Sequence, residues 1–363
     1  MNYCDKIRYR IYTTDEKAFP AMVDDLLDQL PPSEPILRLA FFGAPPSNEE
    51  YLLRHSLLKD KVAARYGNSP ALSYVSQPPL NAPLILEVHS ITPDEIDHIA
   101  YKRSGPHPYV LLENNDGRFL FAGGFQSDIT RRTIRQQARE VFSQIGRLLE
   151  EERFPVRSII RQWNYIEQIT RIQDGNQNYQ SFNNAREAFY GPEPWPGGYP
   201  AATGIGTNLG GVLVDFDAAL FTSPAAFATS INNPLQTAAH AYSESVLKTA
   251  HAHRATPKFE RAKSLTFGSR RLVYISGTAA IRGEESPRDA SLEQQLHLTM
   301  ENIAQLTGAA RPVLLRVYLK EKAHYAPAQR LMDACALAVP VSYMYADVCR
   351  DELLIEIEGV AIE

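Results

Sequence analysis

The sequence predicts an α+β (α/β) fold of tandem modules, each a mixed sheet with helices packed on one face, in a pseudo-threefold arrangement. Two observations lead there. The first is a grammar used three times. Arg38 in PILRLAFF, Arg161 in SIIRQWNY and Arg316 in VLLRVYLK each follow branched residues in a strand-like run. A loop and a helix come next, with Tyr51, Tyr179 and Tyr325 near the helix starts. Then come a strand opened by proline (PALSYV, PAATGIG, PVSYMYA) and a strand carrying an acid (LILEVHS, VLVDFDA, LIEIEGV), which sets Glu87, Asp215 and Glu356 in register. A fixed element order that recurs is the mark of repeated modules, and the unequal spacings fall in loops, where insertions are tolerated.

The second observation is the run ELLIEIEGVAI at Glu352–Ile362. Its period of two and its branched apolar residues read as a strand. Glu356 and Glu358, two apart, share one face, and the apolar face must be core. A solvated acidic face is the ordinary reading of such a strand; the threefold recurrence of the pattern argues for a role instead.

The elements follow in order. IRYRIY is a strand, Ala18 to Leu30 a helix ended by Pro31 and Pro32, and Ile36 to Phe42 a strand. A helix at Glu49 to Tyr66 precedes strands at Pro70 to Val75 and Leu84 to Val88. PYVLLE and RFLFAGG form a hairpin around Asn114-Asn115-Asp116-Gly117. A helix over Ile129 to Glu151 presents an apolar stripe. A strand at Arg157 to Tyr165, a helix at Tyr179 to Phe189, and strands at Ala202 to Gly206 and Gly211 to Asp217 complete the second copy. The last copy reads as strand Arg271 to Ser276, helix Ser291 to Leu306, strand Val313 to Leu319, helix Pro327 to Leu337, strand Ser342 to Val348 and the final strand from Leu353. The expected divisions are a degenerate N-terminal module at 1–100, a central module at 101–225, a linker or helix at 226–256 and a C-terminal module at 257–363.

Composition narrows the function classes. The 363 residues are 44% hydrophobic and 22% charged, with a formal net charge of -5. No basic footprint points to nucleic acid, and an anionic ligand would need a local basic pocket. No apolar run is long enough to span a membrane, and MNYCDKIRYR lacks the apolar core of a signal peptide. Cys4, Cys335 and Cys349 fit neither a disulfide framework nor a zinc set, and His251 and His253 are the one close histidine pair. The expectation is a reduced cytoplasmic protein without a metal.

VYISGTAAI, SLEQQLHLTMENIAQL, LLRVYL and LIEIEGVAI resemble the YjgF/RidA-like fold, which is also chorismate-mutase-like. The deaminase branch of that fold carries a carboxylate-clamping arginine in the strand entered from Pro340; Val341-Ser342-Tyr343 stand here. RQWNY, YQSFNNAREAF, PAATGIGT, ISGTA and YADVCRDELLIEIEG together resemble the chorismatases. That resemblance implies cleavage of the enol ether of chorismate to pyruvate and 3-hydroxybenzoate, with 4-hydroxybenzoate as a second isomer. The alternatives are a hydrolase giving the dihydroxycyclohexadiene carboxylate, and a non-enzymatic protein that binds small metabolites.

Enol-ether cleavage needs a carboxylic acid that stays protonated near neutrality, and burial of a glutamate provides one. Glu356 is the expected acid. The resemblance implies that Cys349 steers the product, since cysteine at this distance from the acid marks the 3-hydroxybenzoate subgroup. The expected substrate-binding residues are Arg161, Arg186 and Arg316 for the carboxylates, Tyr165 and Tyr318 for the ring, the Thr203, Gly204 and Gly206 run for close backbone approach, and Ser276, Thr278, Ala279 and Ala262 at the same seam. No cofactor is implied. The expected partner is a small-molecule substrate, chorismate, and the expected assembly is a monomer or small homo-oligomer.

Overall fold

A computed structural model describes residues 2–67, 69–243, 255–335 and 337–363. The first module holds α1 (Tyr3–Lys6), β1 (Ile7–Thr13), α2 (Phe19–Asp28), β2 (Ile36–Gly43), α3 (Asn48–Tyr66), β3 (Ala71–Val75) and β4 (Leu84–Ile91). The second holds β5 (His98–Ser104), β6 (His107–Asn114), β7 (Gly117–Gln126), α4 (Ile134–Glu151), β8 (Ile159–Glu167), the two-residue strands β9 (Ile172–Gln173) and β10 (Asn176–Gln177), α5 (Asn178–Tyr190), β11 (Ala201–Thr207) and β12 (Val212–Phe221). The third holds β13 (Ala226–Ile231), β14 (Ala262–Phe267), β15 (Arg270–Ala279), α6 (Leu292–Thr307), β16 (Arg311–Leu319), α7 (Tyr325–Ala334), β17 (Val341–Tyr345) and β18 (Ile355–Ile362).

The repeat read from sequence is a repeat of topology. The sheets run β3-β2-β4-β1, β11-β8-β12-β7-β6-β5 and β17-β16-β18-β15-β14-β13. Each starts with a parallel pair (β2 with β3, β8 with β11, β16 with β17) and continues through an antiparallel acid-bearing strand. The first sheet has four strands and ends at β1, without an outer hairpin among the described residues. Register matches as well: Glu87 faces Ala40, Asp215 faces Trp163 and Glu356 faces Tyr318, each two residues past the module's arginine.

Two differences from expectation have local causes. The helix expected from Ile129 starts at Ile134, because Thr133 and Gln136 form a reciprocal capping box there; Ile129 packs into the first module's core instead. Residues 226–231, expected in a linker, are β13, paired along its length with β14. Residues 244–254 of the expected linker, with the His251–His253 pair, lie outside the described residues.

Each sheet buries one face under its own helices: α2 and α3, α4 and α5, or α6 and α7. The opposite faces meet in the middle of the molecule, where apolar residues from all three modules pack together. At that centre the three repeat arginines surround one indole. Arg38, Arg161 and Arg316 lie 4.9, 4.6 and 5.6 Å from the Trp163 ring. Each reaches into the next module in a closed cycle. Arg38 donates to Asp217 of the second at 2.6 Å, Arg161 pairs with Glu358 of the third, and Arg316 grips Glu87 of the first at 2.7 and 2.5 Å. Burial alone would push the Glu87 carboxyl up; Arg316 and His89 hold it well below the usual range. Three modules in one chain are thus locked head to tail by buried charge.

Candidate active site

Symmetry provides an internal control for the acid. At the first seam Asp215 accepts from Ser73 Oγ at 2.6 Å and from the Gly124 amide at 2.8 Å. Glu87 is held by Arg316 and His89. Glu356, the third equivalent, has no hydrogen-bond or ion-pair partner among the described residues, and it lines a pocket of about 780 Å³, open mouth included, at the seam between the second and third modules.

The seam brings β11 of one sheet against β15 of the next. The Ala202 amide donates to Ser276 Oγ at 2.9 Å, and Ser276 Oγ donates to the Glu260 carbonyl at 2.6 Å. β15 bulges between Ile275 and Thr278, and Gly277 sits in the bulge. A Cβ there would lie 2.1 Å from Glu356 Oε1, so only glycine leaves the carboxyl its position. At Gly204 a Cβ would lie 2.7 Å from the Tyr179 ring; glycine lets that ring, which starts α5, close one wall.

Glu356 is 4% exposed. Burial, then the charge of Glu358, push its carboxyl up to about 8, against the opposing pull of Arg261 and Arg161. The carboxyl therefore carries its proton at neutral pH. Cys349, on the loop between β17 and β18, lines the same pocket. Burial and the neighbouring Glu356 push its thiol up to about 12, which keeps it neutral and a poor nucleophile.

Two lining cations lack a carboxylate partner among the described residues, Arg261 and Arg350. They flank the Tyr242 ring at 5.4 and 5.3 Å. Arg261 donates to the Thr237 carbonyl at 2.8 Å and to the Tyr242 hydroxyl, while its buried Nε has no acceptor. Arg350 donates to the Glu284 carbonyl at 2.8 Å and to Ser286 Oγ at 3.0 Å. Gln177, Gln180, Asn183 and Phe259 complete the polar and aromatic lining. The arrangement combines a proton donor, two guanidiniums free for anions, and amides for neutral oxygens.

Of the residues singled out from sequence, Glu356, Cys349, Gly204 and Ala279 line this pocket. Arg161 and Arg316 do not. They are 1% and 2% exposed and pair with Glu358 and Glu87 across the module boundaries. Tyr165 accepts from Arg316 at 2.8 Å and Tyr318 donates to Glu358 at 2.5 Å, both within that central network. Arg186 stops short of the lining. It donates to Asn183 at 2.7 Å and lies 6.0 Å from the Phe259 ring. Thr203 bridges Arg161, Glu358 and the Gly277 amide. Ser276 and Thr278 are taken up by backbone partners, and Gly206 donates its amide to the Asp347 carbonyl at 2.8 Å; these hold the seam together. Ala262 packs in the third module's helix-covered core. Strand alternation turns its neighbour Arg261 to the pocket instead. That signal was present in ERAKS, and Arg350 adjoined Cys349. Tyr242 sits in a stretch without periodicity and gave none.

Residues 100–218 match the family described as "Chorismatase FkbO/Hyg5-like, N-terminal". A 3-hydroxybenzoate synthase of Streptomyces hygroscopicus is 31% identical over 270 residues, covering 68% of this chain and 75% of that protein. A chorismatase of Streptomyces rapamycinicus is 30% identical over 222 residues, covering 56% of this chain and 64% of the relative. A crystal structure of a chorismatase superposes with a TM-score of 0.69 over 98% of both chains at 20% identity, a likeness of fold. With a relative this similar along most of its length, and with the fold shared from end to end, the chain belongs to the chorismatase family.

Proposed function

We propose that the protein cleaves the enol ether of chorismate, releasing pyruvate and 3-hydroxybenzoate. One observation carries this reading: of three equivalent strand acids, Glu356 alone is without a partner among the described residues, and it faces the seam pocket with its proton held. Glu356 gives that proton to the enolpyruvyl methylene carbon, and the ether carbon becomes an oxocarbenium ion. The ring hydroxyl beside the ether then displaces pyruvate, and its proton returns to the Glu356 carboxylate. The resulting ring epoxide opens at the carbon that bore the hydroxyl, the hydrogen on the carbon that keeps the oxygen shifts to the cation beside it, and loss of one proton from that carbon with uptake of one by the oxygen gives the phenol. Atoms balance without water, so excluding water favours this outcome over the diene diol. The neutral Cys349 thiol on the pocket wall suits that exclusion. Arg261 and Arg350 take the two substrate carboxylates. General-acid catalysis of this kind is worth about 10²–10⁴-fold.

The test is incubation of the purified protein with chorismate, with pyruvate measured by a coupled dehydrogenase and the ring product by chromatography and ultraviolet spectrum. Equal amounts of pyruvate and 3-hydroxybenzoate are expected. No pyruvate refutes the reaction; pyruvate with the diene diol refutes the product and the role given to Cys349.

A further inference from the structure

The third module divides its pair of acids unequally. In the second module Asp215 and Asp217 both receive donors, from Ser73, Gly124 and Arg38. In the third, every donor among the described residues goes to Glu358 and none to Glu356. Arg316 donates to Glu358 Oε1 at 2.9 Å and Tyr318 to the same oxygen at 2.5 Å, while Arg161 and Thr203 reach Oε2. These four donors come from three strands, β8, β11 and β16, in two modules. This carboxylate is 1% exposed and paired with two buried guanidiniums, which its removal would strand. Glu356 projects from the same face of β18 two residues earlier. A second negative charge on the same buried strand face is disfavoured.

We propose that Glu358 is a positioning residue for catalysis, a fixed carboxylate that keeps the proton on Glu356, so that the ion network joining the modules also sets the charge state of the acid. The inference rests on Glu356 being the acid of the proposed reaction. The other charged and titratable groups packed around Glu356 are Arg161 from β8, Arg261 leading into β14, Cys349 and Arg350 from the β17–β18 loop, Tyr179 from α5, and Tyr242. Arg261 and Arg161 pull the other way, while burial raises the Tyr179 phenol and the Cys349 thiol, which stay neutral. The burial of Glu356 and the charge of Glu358 outweigh them.

The test reads the proton on Glu356 in the enzyme without substrate, by infrared pH titration of the carboxyl band that disappears in Glu356→Gln. The wild-type midpoint is expected near 8. Glu358→Gln is expected to lower it by about one pH unit or more, with the alkaline fall of kcat/KM moving down equally, and Glu358→Asp to restore both. An unchanged or raised midpoint in Glu358→Gln overturns the inference. If that variant does not fold, the double variant Glu358→Gln, Arg161→Gln removes the charge together with one stranded partner. The midpoint should still fall there, by less, and a midpoint that stays or rises overturns the inference. A titration that shifts as expected in a protein releasing no pyruvate supports the inference and refutes the proposed reaction.

Discussion

Replacing Glu356 by glutamine should make the protein a far poorer catalyst and, in alkaline solution, a more stable one. The amide keeps the size of the side chain and cannot ionise. In the unfolded chain the carboxyl titrates near 4.5, and in the fold near 8. Below pH 4.5 both states hold the proton and the site costs nothing. Between the two values the folded state binds more protons than the unfolded one, so its stability declines as pH rises, and the decline is complete above about 8. At about 1.4 kcal/mol per pH unit, the loss in wild type approaches about 5 kcal/mol. Glu356→Gln does not suffer it. Urea denaturation of both proteins from pH 4.5 to 9 should show the stability difference between them growing by about 3–5 kcal/mol in favour of the variant. Turnover should fall by about 10²–10⁴-fold. Parallel stability curves, with a difference that does not change with pH, would refute a protonated Glu356 in the native state. Undiminished turnover would remove it from the chemistry.

Other perturbations separate binding, geometry and assembly. Arg261→Gln should raise KM for chorismate about 10- to 100-fold with a smaller change in kcat, the loss of one charged hydrogen-bonded contact; steady-state kinetics checks this, and an unchanged KM assigns the carboxylates elsewhere. Gly277→Ala must displace the Glu356 carboxyl, whose oxygen lies 2.1 Å from the added carbon. A misplacement of this order should cost about 100-fold in kcat, with thermal melting little altered because a flexible chain end does the yielding. Arg38→Met strands the buried Asp217 between two modules and should destabilise the fold by about 3–5 kcal/mol in urea melts, with the pH dependence of any remaining activity unmoved.

This chain builds its body from three sheets of one repeated topology in a single polypeptide. The modules explain why the pocket lies where it does. All three seams carry an acid at the same register, but two are filled by donors from the adjoining module. The working pocket is the seam at which the donors stop one residue pair short.

The sequence by itself determined the modules. Period-two strands and their recurrent arginines and acids are local patterns, and they gave the repeat, the register of Glu87, Asp215 and Glu356, and the glycines beside the acid strand. The apolar stripe ran back to Ile129, and the Thr133–Gln136 capping box, not read from the sequence, set the helix start at Ile134. What only tertiary structure decided is which charge meets which. Arg161, Arg186 and Arg316 looked alike as carboxylate binders, and a guanidinium serves a substrate or a neighbouring module equally well until its surroundings are known. The head-to-tail closure spends Arg161 and Arg316 on Glu358 and Glu87, while Arg261 and Arg350 reach the pocket from segments with no pattern shared with the other modules. Hydrophobic periodicity is written along the chain because each strand must bury one face. The partner of a buried charge is fixed by distance in space, and no spacing along the chain records it.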